Sequence, residues 1–207
     1  MGIGRRGIDD VVALIAERGQ HAERLLVGIV GPPGAGKSTS ARTLAEQLGG
    51  VVVPMDGWHL PLADVQRLGR ADRRGAPDTF DAEGFVEFVT ELRTLETTCV
   101  APDFSRETHD PVPGAIEVAP DASPVFVEGN YLLLDEMPWS RLEDVFDLTM
   151  YVDCADRRRR SALVERHISA GMMPVAAEQF VDESDERNAA LVRTSRRRAD
   201  LVVDAGW

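Results

Sequence analysis

One stretch constrains this chain more than any other: Gly31-Pro32-Pro33-Gly34-Ala35-Gly36-Lys37-Ser38 fits the pattern G-x-x-x-x-G-K-[ST]. The apolar run Leu25 to Val30 precedes it, and Ala41, Leu44, Ala45 and Leu48 follow at helical spacing before Gly49-Gly50. Strand, glycine-rich loop and helix in that order make a phosphate-binding loop. Gly31, Gly34 and Gly36 let the backbone turn tightly, so that N–H groups of the 31–39 segment, those of Ala35 and Thr39 included, face phosphate oxygens. The start of the following helix adds partial positive charge. Lys37 is the only lysine among 23 basic residues, a point charge expected to reach the β- and γ-phosphates of ATP. The Ser38 hydroxyl is expected to hold Mg²⁺.

Composition narrows the partners. A net charge of −12 disfavours a nucleic-acid binder, which needs a basic face. A small-molecule partner is expected instead. Cys99 and Cys154 stand far apart and form no C-x-x-C pair, so a reducing compartment is tolerated. The N-terminal region, with Arg5, Arg6, Asp9 and Asp10, has no apolar stretch long enough for a signal peptide or a membrane span, and a cytoplasmic protein is expected. Residues Gly2 to Gly7 match G-x-G-x-x-G, but no strand precedes them, so the dinucleotide-binding context is missing.

The 207 residues are expected to form a single domain spanning 1–207. Ile8, Val11, Val12 and Ile15 predict a short amphipathic helix. Val51 to Met55 form a continuous apolar run, as in a parallel strand buried on both faces, and it ends in Asp56; Pro124 to Val127 lead in the same way into Glu128. Between them, residues 57–80 read as a recognition loop with a short helix near Leu62 to Leu68. Asp81 caps a predicted helix bearing Phe85, Phe88, Val89, Leu92 and Leu95, and short strands are expected at Thr97 to Val100 and Ile116 to Val118. Asp147 to Asp153 predicts a strand, Asp156 to Ser169 an Arg-rich helix, and Leu201 to Val203 a last strand. This alternation predicts a three-layer α/β fold of the P-loop NTPase kind around a mostly parallel sheet. In such a sheet ligands bind beyond the carboxyl ends of the strands, where the loop, Asp56 and Glu128 should converge. Phosphoryl transfer needs what that edge offers: a phosphate cradle, a metal ligand, a carboxylate for the acceptor hydroxyl and positive charge on the transferring group.

Three further segments carry a resemblance: Met55-Asp56-Gly57-Trp58-His59-Leu60, Arg74 to Asp81, and Val127-Glu128-Gly129-Asn130-Tyr131 through Leu134. Together with the phosphate loop they resemble the phosphoribulokinase, uridine kinase and pantothenate kinase family, and within it the fructose-transport-associated, fructokinase-like kinases. The similarity runs from about Leu26 to Val203. It implies that Asp56 is the catalytic base or orients the acceptor hydroxyl, and that Glu128 supports Mg²⁺. It also implies that His59, Asp78, Arg106, Asn130 and Tyr131 line the acceptor pocket, and that residues from about 157 to 171 form a lid over ATP. Arg159 or Arg160, with Arg166, is then expected to neutralise charge on the transferring group. Ala162 and Ser105 depart from the family's pattern of a further lid arginine and of an Asp before Arg106.

The function so implied is an ATP-dependent, alcohol-group phosphotransferase whose acceptor is a sugar such as fructose, with a nucleoside or a pantothenate-like acid as alternatives. A GTPase is excluded, because its guanine-reading N-K-x-D motif needs a second lysine. A non-catalytic nucleotide-binding regulator is the alternative of another class; it would be expected to lack Lys37, Asp56 or Glu128, and all three are present. Oligomeric state is not legible.

Overall fold

The computed structural model describes residues 5–204, so Gly2 and Gly4 of the discarded glycine match lie outside the described residues. Six strands form one sheet: β1 (Arg5–Arg6), β2 (Leu26–Val30), β3 (Val51–Pro54), β6 (Val125–Gly129), β7 (Leu148–Asp153) and β8 (Leu201–Asp204). Their spatial order is β1-β8-β7-β2-β6-β3, and every pairing is parallel. The central strands β2 and β6 are buried along their whole length, which is why they read as unbroken apolar runs.

Side chains on successive strand residues divide between two cores. Leu26, Val30, Val53, Val125 and Val127 pack with Phe85, Val86 and Val89 of α4 (Ala82–Glu91). Val27, Ile29 and Phe126 pack on the other face with Val11 and Ile15 of α1 (Ile8–Gly19) and Ala41 and Leu44 of α2 (Lys37–Leu48). Helices on both faces of a parallel sheet give the expected three layers. The Asp81 carboxylate accepts from the Gly84 N–H at 3.1 Å and caps α4 as expected. Gly49, at φ +75°, closes α2.

Two segments differ from the sequence reading. The short strands expected at 97–100 and 116–118 are longer, β4 (Cys99–Ser105) and β5 (Asp110–Val118), and pair with each other as an antiparallel hairpin outside the main sheet. Pro102, Pro111 and Pro113 interrupt the strand pattern there. The run from Val51 ends its strand at Pro54, and Met55–Trp58 turn as a 3-10 helix that carries Asp56 off the sheet edge. The short helix of the recognition loop is α3 (Leu62–Arg67). The Arg-rich helix is α5 (Asp156–Ser169). Beyond it the sequence reading had not resolved α6 (Pro174–Phe180), a π-helical turn (Val181–Asp185) and α7 (Glu186–Thr194).

Candidate active site

The P-loop leaves β2 and enters α2 through Gly34 and Gly36, at φ +76° and +95°, a region that glycine adopts without strain. A Cβ on Gly31 would lie 2.7 Å from the Val152 carbonyl oxygen, so the first glycine is needed for close packing. Lys37 is only 9 % exposed, and its ammonium donates to the Pro32 carbonyl at 3.3 Å, folded back over the loop. Burial lowers its pKa, and Glu128 and Asp56 oppose that effect.

Glu128 is 5 % exposed at the carboxyl end of β6 and accepts from the Ser38 hydroxyl at 2.7 Å. Burial raises its pKa, against the pull of Lys37 and the Ser38 hydrogen bond. A hydroxyl and a carboxylate in contact are hard oxygen donors, which suits Mg²⁺ when phosphates supply further ligands. Asp56 differs: its side chain is 45 % exposed, and its carboxylate lies 3.9 Å from His59 Nδ1. Its backbone carbonyl instead accepts from the His59 N–H at 3.2 Å and meets His59 Nδ1 at 2.9 Å. Two glycines set the approach of the two acids. Gly129 passes where a Cβ would lie 2.6 Å from Met55 Cβ, and Gly57 passes against the Pro102 carbonyl of β4.

His59 is packed between Phe80 and Phe104, with ring centroids 4.0 and 4.8 Å away. Burial lowers its pKa, so the ring is neutral at neutral pH. Arg74 lies over the Phe104 ring, 5.7 Å from its centroid, donates to the His109 carbonyl and pairs with Asp110 at 3.7 Å. Arg106, on the hairpin, is exposed and close enough to pull the Glu128 carboxyl toward ionisation.

Other expected site residues are placed differently. Tyr131 is fully buried among Phe80 and Trp139, and its hydroxyl donates to the Gly75 carbonyl. Burial raises the pKa of its hydroxyl, so it stays protonated. The Asp78 carboxylate is occupied by Arg73 at 2.9 Å and Arg70 at 3.2 Å. Arg159, expected over the phosphoryl group, is fully buried beneath the P-loop, where it donates to the Pro33 carbonyl at 3.2 Å and pairs with Glu186. Arg160 turns away to pair with Asp182. Consecutive helix residues point about 100° apart, so a run of arginines cannot converge on one group. Arg166 remains: it is exposed, and its charge lowers the pKa of both Lys37 and His59. The reading missed Phe104 as a wall and Glu186 as a partner of Arg159. The aromatic stood in an unassigned stretch, and nothing in the sequence spacing ties Glu186 to Arg159.

A nucleotide-type phosphate cradle, a serine–glutamate pair and a second carboxylate on one edge of a parallel sheet define a P-loop phosphotransferase site. Comparison with known proteins agrees. No protein-family profile matches the chain. A candidate uridine kinase of Schizosaccharomyces pombe is 32% identical over 209 residues, covering 94% of this chain and 89% of that protein. The crystal structure of a candidate fructose transport system kinase from Silicibacter sp. TM1040 superposes with a TM-score of 0.87 at 32% identity, covering 95% and 98% of the two chains. The pantothenate kinase of Bacillus velezensis is 30% identical over 75% of this chain, which spans 56% of that enzyme. The chain belongs to the P-loop small-molecule kinases of the phosphoribulokinase, uridine kinase and pantothenate kinase family. It is a phosphotransferase with a hydroxyl acceptor.

Proposed function

We propose that the chain transfers the γ-phosphoryl group of ATP, in the presence of Mg²⁺, to a hydroxyl of a sugar such as fructose. The observation that carries this reading is the meeting of Lys37, the Ser38–Glu128 pair and a half-exposed Asp56 at one mouth. Backbone N–H groups of residues 31–39 and Lys37 bind the phosphates, Ser38 and Glu128 hold the cation, and Arg166 faces the transferring group. When bound, the cation neutralises phosphate charge. Asp56 accepts the proton of the acceptor hydroxyl as its oxygen bonds to the γ-phosphorus, and the bond to the β-phosphate oxygen breaks to release ADP.

The sugar assignment draws on the name of the Silicibacter relative and on polar groups near the two acids: His59 beside Asp56, Arg106 near Glu128, and Asn130 directly after β6. A nucleoside acceptor is the second reading, and the name of the Schizosaccharomyces pombe relative supports it. We read the chain as one kinase domain acting in the cytoplasm, without nucleic-acid or membrane partners. The net charge of −12 supports this, and no described helix is long and apolar enough to cross a membrane. A coupled ADP-release screen over fructose and other sugars, nucleosides and pantothenate tests the assignment. Turnover with nucleosides alone overturns the sugar reading, and no turnover with any hydroxyl acceptor overturns the acceptor class as a whole.

A further inference from the structure

We propose that Glu186 is a positioning residue for the nucleotide site, acting through Arg159 to fix both the P-loop and the helix that carries Arg166. The inference rests on the ATP reading above. Arg159 has no exposed surface, and its guanidinium is held on three sides: by the Pro33 carbonyl at 3.2 Å, by Asp156 at 3.4 Å and by Glu186. Arg193 closes the set from outside, 2.6 Å from Asp156 and 3.4 Å from the second Glu186 oxygen. Two acids and two arginines therefore join α5 to α7, and one arginine reaches through to the tip of the P-loop.

The tip has no other room. A Cβ on Gly34 would lie 2.8 Å from Leu163 and 2.9 Å from the Arg159 carbonyl oxygen, so loop and helix are in direct contact. Arg159, Leu163 and Arg166 stand at i, i+4 and i+7, on one face of α5, with Arg166 about 10 Å along the axis from Arg159. Pinning Arg159 thus fixes two things: which way the Pro33-Gly34 peptides face, and where Arg166 is presented. Without Glu186 the guanidinium loses its closest acid while still buried. It is then free to turn toward the phosphates or to draw the loop with it.

The test is titration of the folded wild type and variants with Mg²⁺ and a non-hydrolysable ATP analogue, well below the melting temperature. Glu186→Gln, which preserves volume, should weaken analogue binding about tenfold, the scale seen when an outer-shell partner is removed. Arg159→Lys should do the same, and the double variant should be no worse than either single one, because both break one coupling. Acceptor KM should not move. An analogue affinity for Glu186→Gln within twofold of wild type, or tighter than it, overturns the proposal even if melting temperature falls, since the network is then only structural. Should Glu186→Gln fail to fold, Arg193→Gln loosens the same carboxylate from the exposed side, and wild-type affinity there is equally fatal to the idea. A wild-type chain that binds no analogue removes the nucleotide reading itself, and this inference with it.

Discussion

Asp56 and Glu128 answer to one lysine but sit in different surroundings, and those surroundings divide their labour. Asp56 is half exposed, and if it is the base proposed above, Asp56→Asn should lower kcat by about 10²–10⁴ with analogue affinity nearly intact. Stopped-time assays with the best acceptor from the screen check this; near-normal turnover would leave Asp56 a mere strand-end carboxylate. Glu128 is buried and its carboxyl titrates above the ordinary range. Between the unfolded pKa of about 4.3 and that raised value the native state binds more protons than the unfolded chain, so stability falls as pH rises through the window. The cation needs the carboxylate form, so Mg²⁺ affinity should climb over the same window, with proton release on binding. Calorimetric titration in buffers of different ionisation enthalpy measures both. Glu128→Gln should abolish the proton release and raise the Mg²⁺ concentration for half-maximal rate.

At the scale of elements, α5 is held at both ends. Arg159 and Leu163 are buried beneath the P-loop, and near the far end His167 Nε2 meets the Asp185 carboxylate at 2.8 Å while its ring packs against Phe180. Met173 and Val175, past the turn at Gly171, are 74 % and 68 % exposed. A closing lid would then bend at the Gly171 turn and leave α5 with Arg166 in place. Hydrogen exchange should show nucleotide-dependent protection at 170–175 and already strong, unchanged protection at 160–167. Unchanged exchange at 170–175 with both substrates present would mean that this turn does not close. The 55–58 turn is the second element on which chemistry depends. Gly57→Ala forces a methyl against the Pro102 carbonyl, and overpacking of this kind costs about 1–3 kcal/mol. Because Asp56 rides on that turn, kcat should drop more than ATP affinity does, and parallel denaturation and kinetic measurements separate the two losses.

For the whole molecule, ligand linkage gives the simplest check. An analogue that binds only the native state adds about 2.7 kcal/mol at one hundred times its Kd, which for a chain of this size is roughly 5–11 °C in Tm. The combined Lys37→Ala and Ser38→Ala variant should show no such shift. Most of this architecture was legible because each central strand is buried on two faces and so prints an unbroken apolar run in the sequence, as Leu25 to Val30 and Pro124 to Val127 do. The P-loop was legible for a different reason: its chemistry needs glycines and a lysine at fixed spacing. The hairpin of β4 and β5 was only half visible, since it packs by one face and is broken by prolines. Strand β1 escaped entirely, because two arginines pairing with Val202 and Val203 leave no apolar trace. The arginine roles could not be read off the sequence. Which of Arg157 to Arg160 faces inward depends on the rotation of α5 against the P-loop, a tertiary quantity.

Close approaches at two glycines set where the two acids stand: Gly129 leaves room for the Met55 side chain next to Asp56, and Gly57 lies against the Pro102 carbonyl of β4. The residues that would meet an acceptor belong to the 3-10 turn, the 70–80 loop and the hairpin, none of which is part of the main sheet. Reaction geometry and substrate choice are therefore separable except at one point, the seat of the 3-10 turn on Pro102. The 70–80 loop and the rest of the hairpin can be rewritten to admit a different alcohol while Asp56 and Glu128 keep their spacing, and a frame of this kind can change diet without relearning its chemistry.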